Sequence, residues 1–150
     1  MKKSSEVIQI SSNTSPKKLD EILEEMILAV ESQLWISVED GYDGNSFWIS
    51  TPDDHEGEYW PSAGIIELDI NNKIFTKIVS LAHEVGHYFL EKDKDFGIES
   101  HKMFEESLAW YLGYKYFENK GFVIDIKEYK KEASKCLGEY VRSLNEQDDN

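Results

Sequence analysis

The stretch SLAHEVGHYFLE, residues 80–91, carries two histidines four positions apart, His83 and His87, with Glu84 directly after the first. Around them Ile78, Leu81, Ala82, Val85 and Phe89 recur at the i, i+3, i+4, i+7 spacing of a helix with one packed face. The pattern predicts a helix over about 73–91. At ~100° per residue both imidazoles fall opposite the apolar stripe, ~40° apart in projection and one turn apart along the axis. A helix does not need that second face for its core. Two imidazoles so placed can reach one ion with bonds of ~2.0–2.1 Å. Glu84 projects beside the pair, where it can act on a water instead of ligating. Gly86 has no side chain and lets a neighbouring element approach closely.

Two histidines are short of a catalytic metal site, which takes three protein ligands and an open position. His101, Glu105 and Glu106 are the downstream candidates. Glu106 follows His87 after 18 intervening residues, in FEESLAWYLG, on a second helix predicted over about 98–119. A short connection between two antiparallel helices brings facing residues within reach of one ion. Met103, Ser107, Trp110, Tyr114 and Phe117 read as the packed stripe of that helix, with Glu106 on its flank, ~60° from the centre. A partly buried carboxylate there calls for a cation. Glu105 lies ~100° round the helix and cannot share the role.

Outward from this pair of helices, the pattern is that of an α+β domain. Pro16 opens a helix through Leu34, with Leu19, Ile22, Leu23, Met26, Ile27 and Val30 on one face and Ser15 as N-cap. WISVED and NSFWIST read as strands joined by the turn GYDG. TPDDHEGEYWPS is a loop, and GIIELDI alternates as a strand with Ile66, Leu68 and Ile70 on one face. A last amphipathic helix is expected over about 126–144. Residues 1–15 read as a flexible N-terminal arm or a short edge strand, 16–145 as a single domain, and 146–150 as an acidic tail.

The chain has 150 residues, a net charge of −14 and one cysteine. That charge argues against binding a phosphate backbone, and so against a nucleic-acid partner. It favours solubility and basic partner surfaces. No run of about 18 apolar residues is present, so no membrane span is expected. The start, MKKSSEVIQI, has no apolar h-region of a signal peptide. With Cys136 alone no internal disulfide forms, and a reducing cytoplasm is expected. Cys136 itself reads as a buried, inert thiol.

HEVGH, 18 residues, and then the glutamate of ESLAWY resembles the gluzincin zinc metallopeptidases, whose aminopeptidase branch carries HExxH-x18-E before a segment close to EGFASY. The short chain is similar to the minimal members called minigluzincins. GIIELDINNKIFTKIVSLAHEVGHYFLE also resembles the ImmA/IrrE family of regulatory metallopeptidases. The likeness covers about residues 64–113. It implies a zincin-like fold, a Zn²⁺ cofactor, His83, His87 and Glu106 as ligands, and Glu84 as general base of a metalloendopeptidase acting on a peptide or protein substrate. The alternative is a zincin-like module that binds zinc or a partner with little turnover. GIIELDI resembles the strand before the active-site helix, whose edge pairs with extended substrate. Related enzymes stabilise the oxyanion with a downstream Tyr or His; Tyr111, Tyr114, Tyr129, Tyr140 and His101 are candidates. His55, in the acidic loop, reads as a surface residue. Thermolysin-like members orient a histidine with an aspartate four residues after the glutamate ligand; that place here is Trp110.

Overall fold

The structure is a computed structural model that describes residues 6–50, 63–92 and 102–148. The loop 51–62 with His55, the turn before the second motif helix, His101 and the side chain of Tyr140 lie outside the described residues. The elements in chain order are β1 (Ile8–Ile10), α1 (Pro16–Gln33), β2 (Ile36–Gly41), β3 (Ser46–Ser50), β4 (Ala63–Asp69), α2 (Ile74–Lys92), α3 (Lys102–Asn119), β5 (Phe122–Ile124) and α4 (Ile126–Asp148). The expected mixed α+β class is therefore observed, with four helices and two small sheets among the described residues.

α1 begins where its sequence provides for the free backbone donors. Pro16 lacks the N–H that the first turn would leave unpaired, and the Ser15 hydroxyl accepts from the Lys18 amide at 3.3 Å. Leu19, Ile22, Leu23, Met26 and Val30 are buried on one face. Ile27, expected in that stripe, is only partly buried.

The three-stranded sheet has the order β2–β4–β3, with β2 parallel and β3 antiparallel to β4. β2 and β3 are joined by the turn GYDG as expected, yet they are not neighbours. The turn arches over the end of β4, where the Asn45 side chain accepts from the Asp69 amide at 2.8 Å. Gly44 takes a φ of 90° in that turn, a conformation costly for residues with a β-carbon. β4 is thus the central strand, with both backbone edges paired. The expectation that its edge stays open for a peptide is corrected: the outer strands are β2 and β3. Gly64, Ile66 and Leu68 point into the core, while Ile70 lies past the strand end, 40% exposed.

Residues 8–10, inside the stretch expected as an arm or short edge strand, form β1. It pairs in parallel with β5, and Ile10 and Ile124 are buried. β5 was not foreseen from the sequence. Its three residues are too few to show alternation, and Gly121, at φ 91°, is what turns the chain from α3 into it. No helix among the described residues is long and apolar enough to cross a membrane.

α2 buries Ile78, Leu81, Ala82 and Val85 completely, as its spacing predicts, with Phe89 partly buried. α3 crosses it at close range. A β-carbon at Gly86 would collide with the Ala109 carbonyl, and one at Gly113 with the Ala82 carbonyl. The two helices therefore meet backbone to backbone, in antiparallel register, through four small residues. This corrects part of the expected stripe of α3: Trp110 and Phe117 are buried as expected, and the side chain of Met103 lies outside the described residues. The packed face is Ala109, Trp110, Gly113 and Phe117, Ser107 is exposed and Tyr114 only partly buried. The contact runs along the smallest side chains, so the face is rotated toward Glu106.

Candidate metal centre

α2 and α3 bring three side chains to one point. His83 and His87 stand one turn apart on α2, and Glu106 reaches them from the rotated face of α3. His83 Nε2 lies 2.9 Å from Glu106 Oε2, His87 Nε2 3.1 Å from Glu106 Oε1, and the two Nε2 atoms are 3.0 Å apart. One ligand atom from each of the three lies within 4.8 Å of the others. Ligands bonded to zinc at ~2.0–2.1 Å in a tetrahedron stand ~3.3 Å apart, so the observed spacing is close to that of a ligand triangle. Two imidazole nitrogens facing each other at 3.0 Å need a proton or a cation between them. The donor set therefore fits a divalent metal. Glu105, the neighbouring acid, is not part of the group.

The electrostatics of the metal-free site follow from this crowding. Burial pushes the Glu106 carboxyl upward, but hydrogen bonds from His83 and His87 overcome it and hold the group far below the usual carboxylate range. Burial lowers His87, but its hydrogen bond and attraction to Glu106 outweigh that, and its pKa ends above the ordinary 6.5.

Glu84 is buried and does not join the triangle. Its Oε1 is 3.7 Å from His83 Nδ1, beyond hydrogen-bond reach. Burial raises its pKa, with partial opposition from His83 and His87. Glu84 and His83 line a cavity of about 410 Å³, bounded by Asn45 and Ser80 on one side and by Lys135 and Cys136 of α4 on the other. That cavity shares Thr76 and Glu132 with a larger one of about 840 Å³ between the starts of α1, α2 and α4.

Aromatic rings flank both imidazoles. Trp110 stacks on His83 with centroids 4.2 Å apart and planes 8° apart, and Phe47 of β3 lies parallel to His87 at 6.5 Å. Neither contact was read from the sequence, although the position of Trp110 four residues after Glu106 had singled it out.

The tyrosine candidates fare differently. Tyr111 is 56% exposed on the outer side of α3. The Tyr129 hydroxyl donates to the Trp110 carbonyl at 2.5 Å, and Tyr114 packs on the Tyr129 ring. None of the three lines the Glu84 cavity. Cys136 is exposed, not buried as expected, and lines the cavity on the α4 side. Compared with known families, curated proteins and solved structures, the chain matches none.

Proposed function

We propose that this chain is a zinc-dependent metallopeptidase of zincin-like, minimal gluzincin type, acting within polypeptide substrates. The observation that carries the reading is the convergence of His83, His87 and Glu106 with a buried carboxylate, Glu84, beside them and open to a cavity. Two imidazole nitrogens and one carboxylate oxygen would suit zinc, whose catalytic sites take three protein ligands. A zinc ion bound there would supply Lewis acidity, which activates water near neutral pH and polarises a substrate carbonyl.

The chain's own residues supply the rest. Glu106 and the two Nε2 atoms would hold the ion and offset part of its charge. Glu84 takes a proton from the attacking water on its carboxylate and returns it to the nitrogen of the leaving amine. Burial raises its pKa, which makes the protonated form easier to reach and so favours taking up the proton before it is passed on. A base beside its ligands is of no use to a purely structural site, which favours turnover over a silent zinc module. The two neighbouring cavities, which share Thr76 and Glu132, lie along α2 and α4 and offer room for a peptide.

The test is metal analysis of protein purified without added metal, followed by digestion of a mixed peptide library by wild type and Glu84→Gln. One zinc per chain and cleavage lost in the variant are expected. No stoichiometric metal after zinc is offered overturns the reading; metal without cleavage leaves a zinc-binding module that does not turn over.

A further inference from the structure

Among the described residues, His83 is held by hydrogen bonds at one ring nitrogen, Nε2. Nε2 faces Glu106 and His87, and among the described residues no hydrogen bond secures Nδ1, whose nearest carboxylate oxygen is 3.7 Å away. Among the described residues, no hydrogen bond at Nδ1 restrains rocking of the imidazole about its Cβ–Cγ bond. The indole of Trp110 does. It covers the imidazole face at 4.2 Å, with planes only 8° apart.

The indole is itself fixed. Trp110 is 5% exposed, and Tyr129 of α4 meets it edge-on at 5.2 Å and 72°. The Tyr129 hydroxyl donates to the carbonyl of the same tryptophan, which locks ring and backbone together. The indole N–H is buried without a partner among the described residues. A buried donor left unpaired asks for an explanation. Here the ring is placed for its face, at the expense of its polar edge. Trp110 also lies one turn after Glu106 on α3, so the ligand and the aromatic platform move as one unit.

We propose that Trp110 is the positioning residue of the metal centre: its indole face sets the plane of the His83 imidazole and favours the metal-loaded ring. A cation on Nε2 draws electron density from the imidazole. The electron-rich face of Trp, the strongest of the aromatic side chains in cation–π contacts, opposes that charge favourably. The inference rests on the metal-centre reading above.

The experiment compares wild type, Trp110→Phe and Trp110→Leu by four measurements. These are zinc dissociation constants by chelator competition, the visible absorption of the cobalt-loaded protein, melting of the metal-free protein, and the His83 ring C–H proton shifts in the metal-free state. Wild type shows His83 protons moved upfield by the indole ring current. Trp110→Leu loses that shift and weakens zinc ~10-fold or more, the lower end of what outer-shell partners contribute. Trp110→Phe, which keeps a smaller face, loses ~3-fold by the same reasoning. The cobalt spectrum changes in the order Leu, then Phe. A role in folding alone would lower melting and leave the zinc constant and cobalt spectrum as in wild type; that result overturns the proposal. If Trp110→Leu does not fold, Trp110→Phe decides, and an unchanged zinc constant there overturns the proposal equally. A wild-type chain that shows the ring-current shift yet takes up no metal overturns the metal-centre reading, and this role with it.

Discussion

Gly86 of α2 rests against the carbonyl of Ala109 of α3, and no β-carbon fits between them. The reciprocal pair, Ala82 and Gly113, repeats the contact one turn along. Glu106 stands one turn before Ala109 on the same face. The helix separation that these small residues permit is thus what sets the reach of the carboxylate to His83 and His87.

Gly86→Ala is expected to push the helices apart. Overpacking of this kind costs ~1–3 kcal/mol or more. For a chain of this length ~1 kcal/mol corresponds to ~2–4 °C of melting temperature, so a drop of ~3–10 °C is expected. Zinc affinity should fall as well, because Glu106 recedes. Calorimetry and chelator competition on the same samples check both. An unchanged melting point would mean that the contact is looser than described.

His83→Ala and His87→Ala should each abolish stoichiometric zinc. Glu106→Gln should weaken it by ~10-fold or more, since a neutral amide is a poor ligand for a divalent ion. Glu105→Gln should change it little, because Glu105 offers no atom to the triangle. Elemental analysis after dialysis at neutral pH gives the order. A larger loss from Glu105→Gln would move the ligand by one residue.

Glu84→Gln should retain zinc and lose hydrolysis, since an amide cannot take a proton from water. It should also stabilise the metal-free fold at neutral pH. Glu84 has a pKa raised by burial, so its contribution is fully favourable below the ordinary 4.5 and is lost as pH rises through its folded value. Melting of the metal-free variant should exceed wild type by a few degrees at pH 7, and the gap should close as pH falls below about 4.5. A gap that stays constant with pH would show that Glu84 is not destabilised by its surroundings.

Protons and metal compete for His87. In the metal-free protein its pKa is raised above 6.5 by Glu106, so zinc affinity should begin to fall, as pH is lowered, from above that value. In Glu106→Gln the onset should move to lower pH. Without metal, the part of stability due to His87 is fully present below 6.5 and is lost as pH rises through its folded pKa. The part due to Glu106 is present above 4.5 and is lost as pH falls through its own lowered value. Metal-free protein should therefore gain most from this pair between about 4.5 and 6.5. Zinc titrations and metal-free melting across that range test the two halves separately.

The helices were legible because their information is local. In α2 the apolar spacing alone places Ile78, Leu81, Ala82 and Val85 inward and the two histidines outward, and Ser15–Pro16 marks the start of α1 without help from elsewhere. The pairing of Glu106 with His83 and His87 was also accessible, since its spacing and the short connection leave few ways for the helices to meet. The strand order was not legible. GYDG says that the chain turns, but only the Asn45–Asp69 contact and the pull of a core-facing β4 decide that another strand lies between the two it joins. The packed face of α3 was legible in part, at Trp110 and Phe117, but its centre was not, because large apolar residues dominate a sequence pattern while helix contact here depends on glycine and alanine. Trp110 was expected to be packed, but its stacking on His83 depends on how closely α2 and α3 approach. The residue types and their turn-by-turn spacing belong to the sequence. Which ring lies on which, and how closely two backbones approach, arises only once distant segments share the same volume.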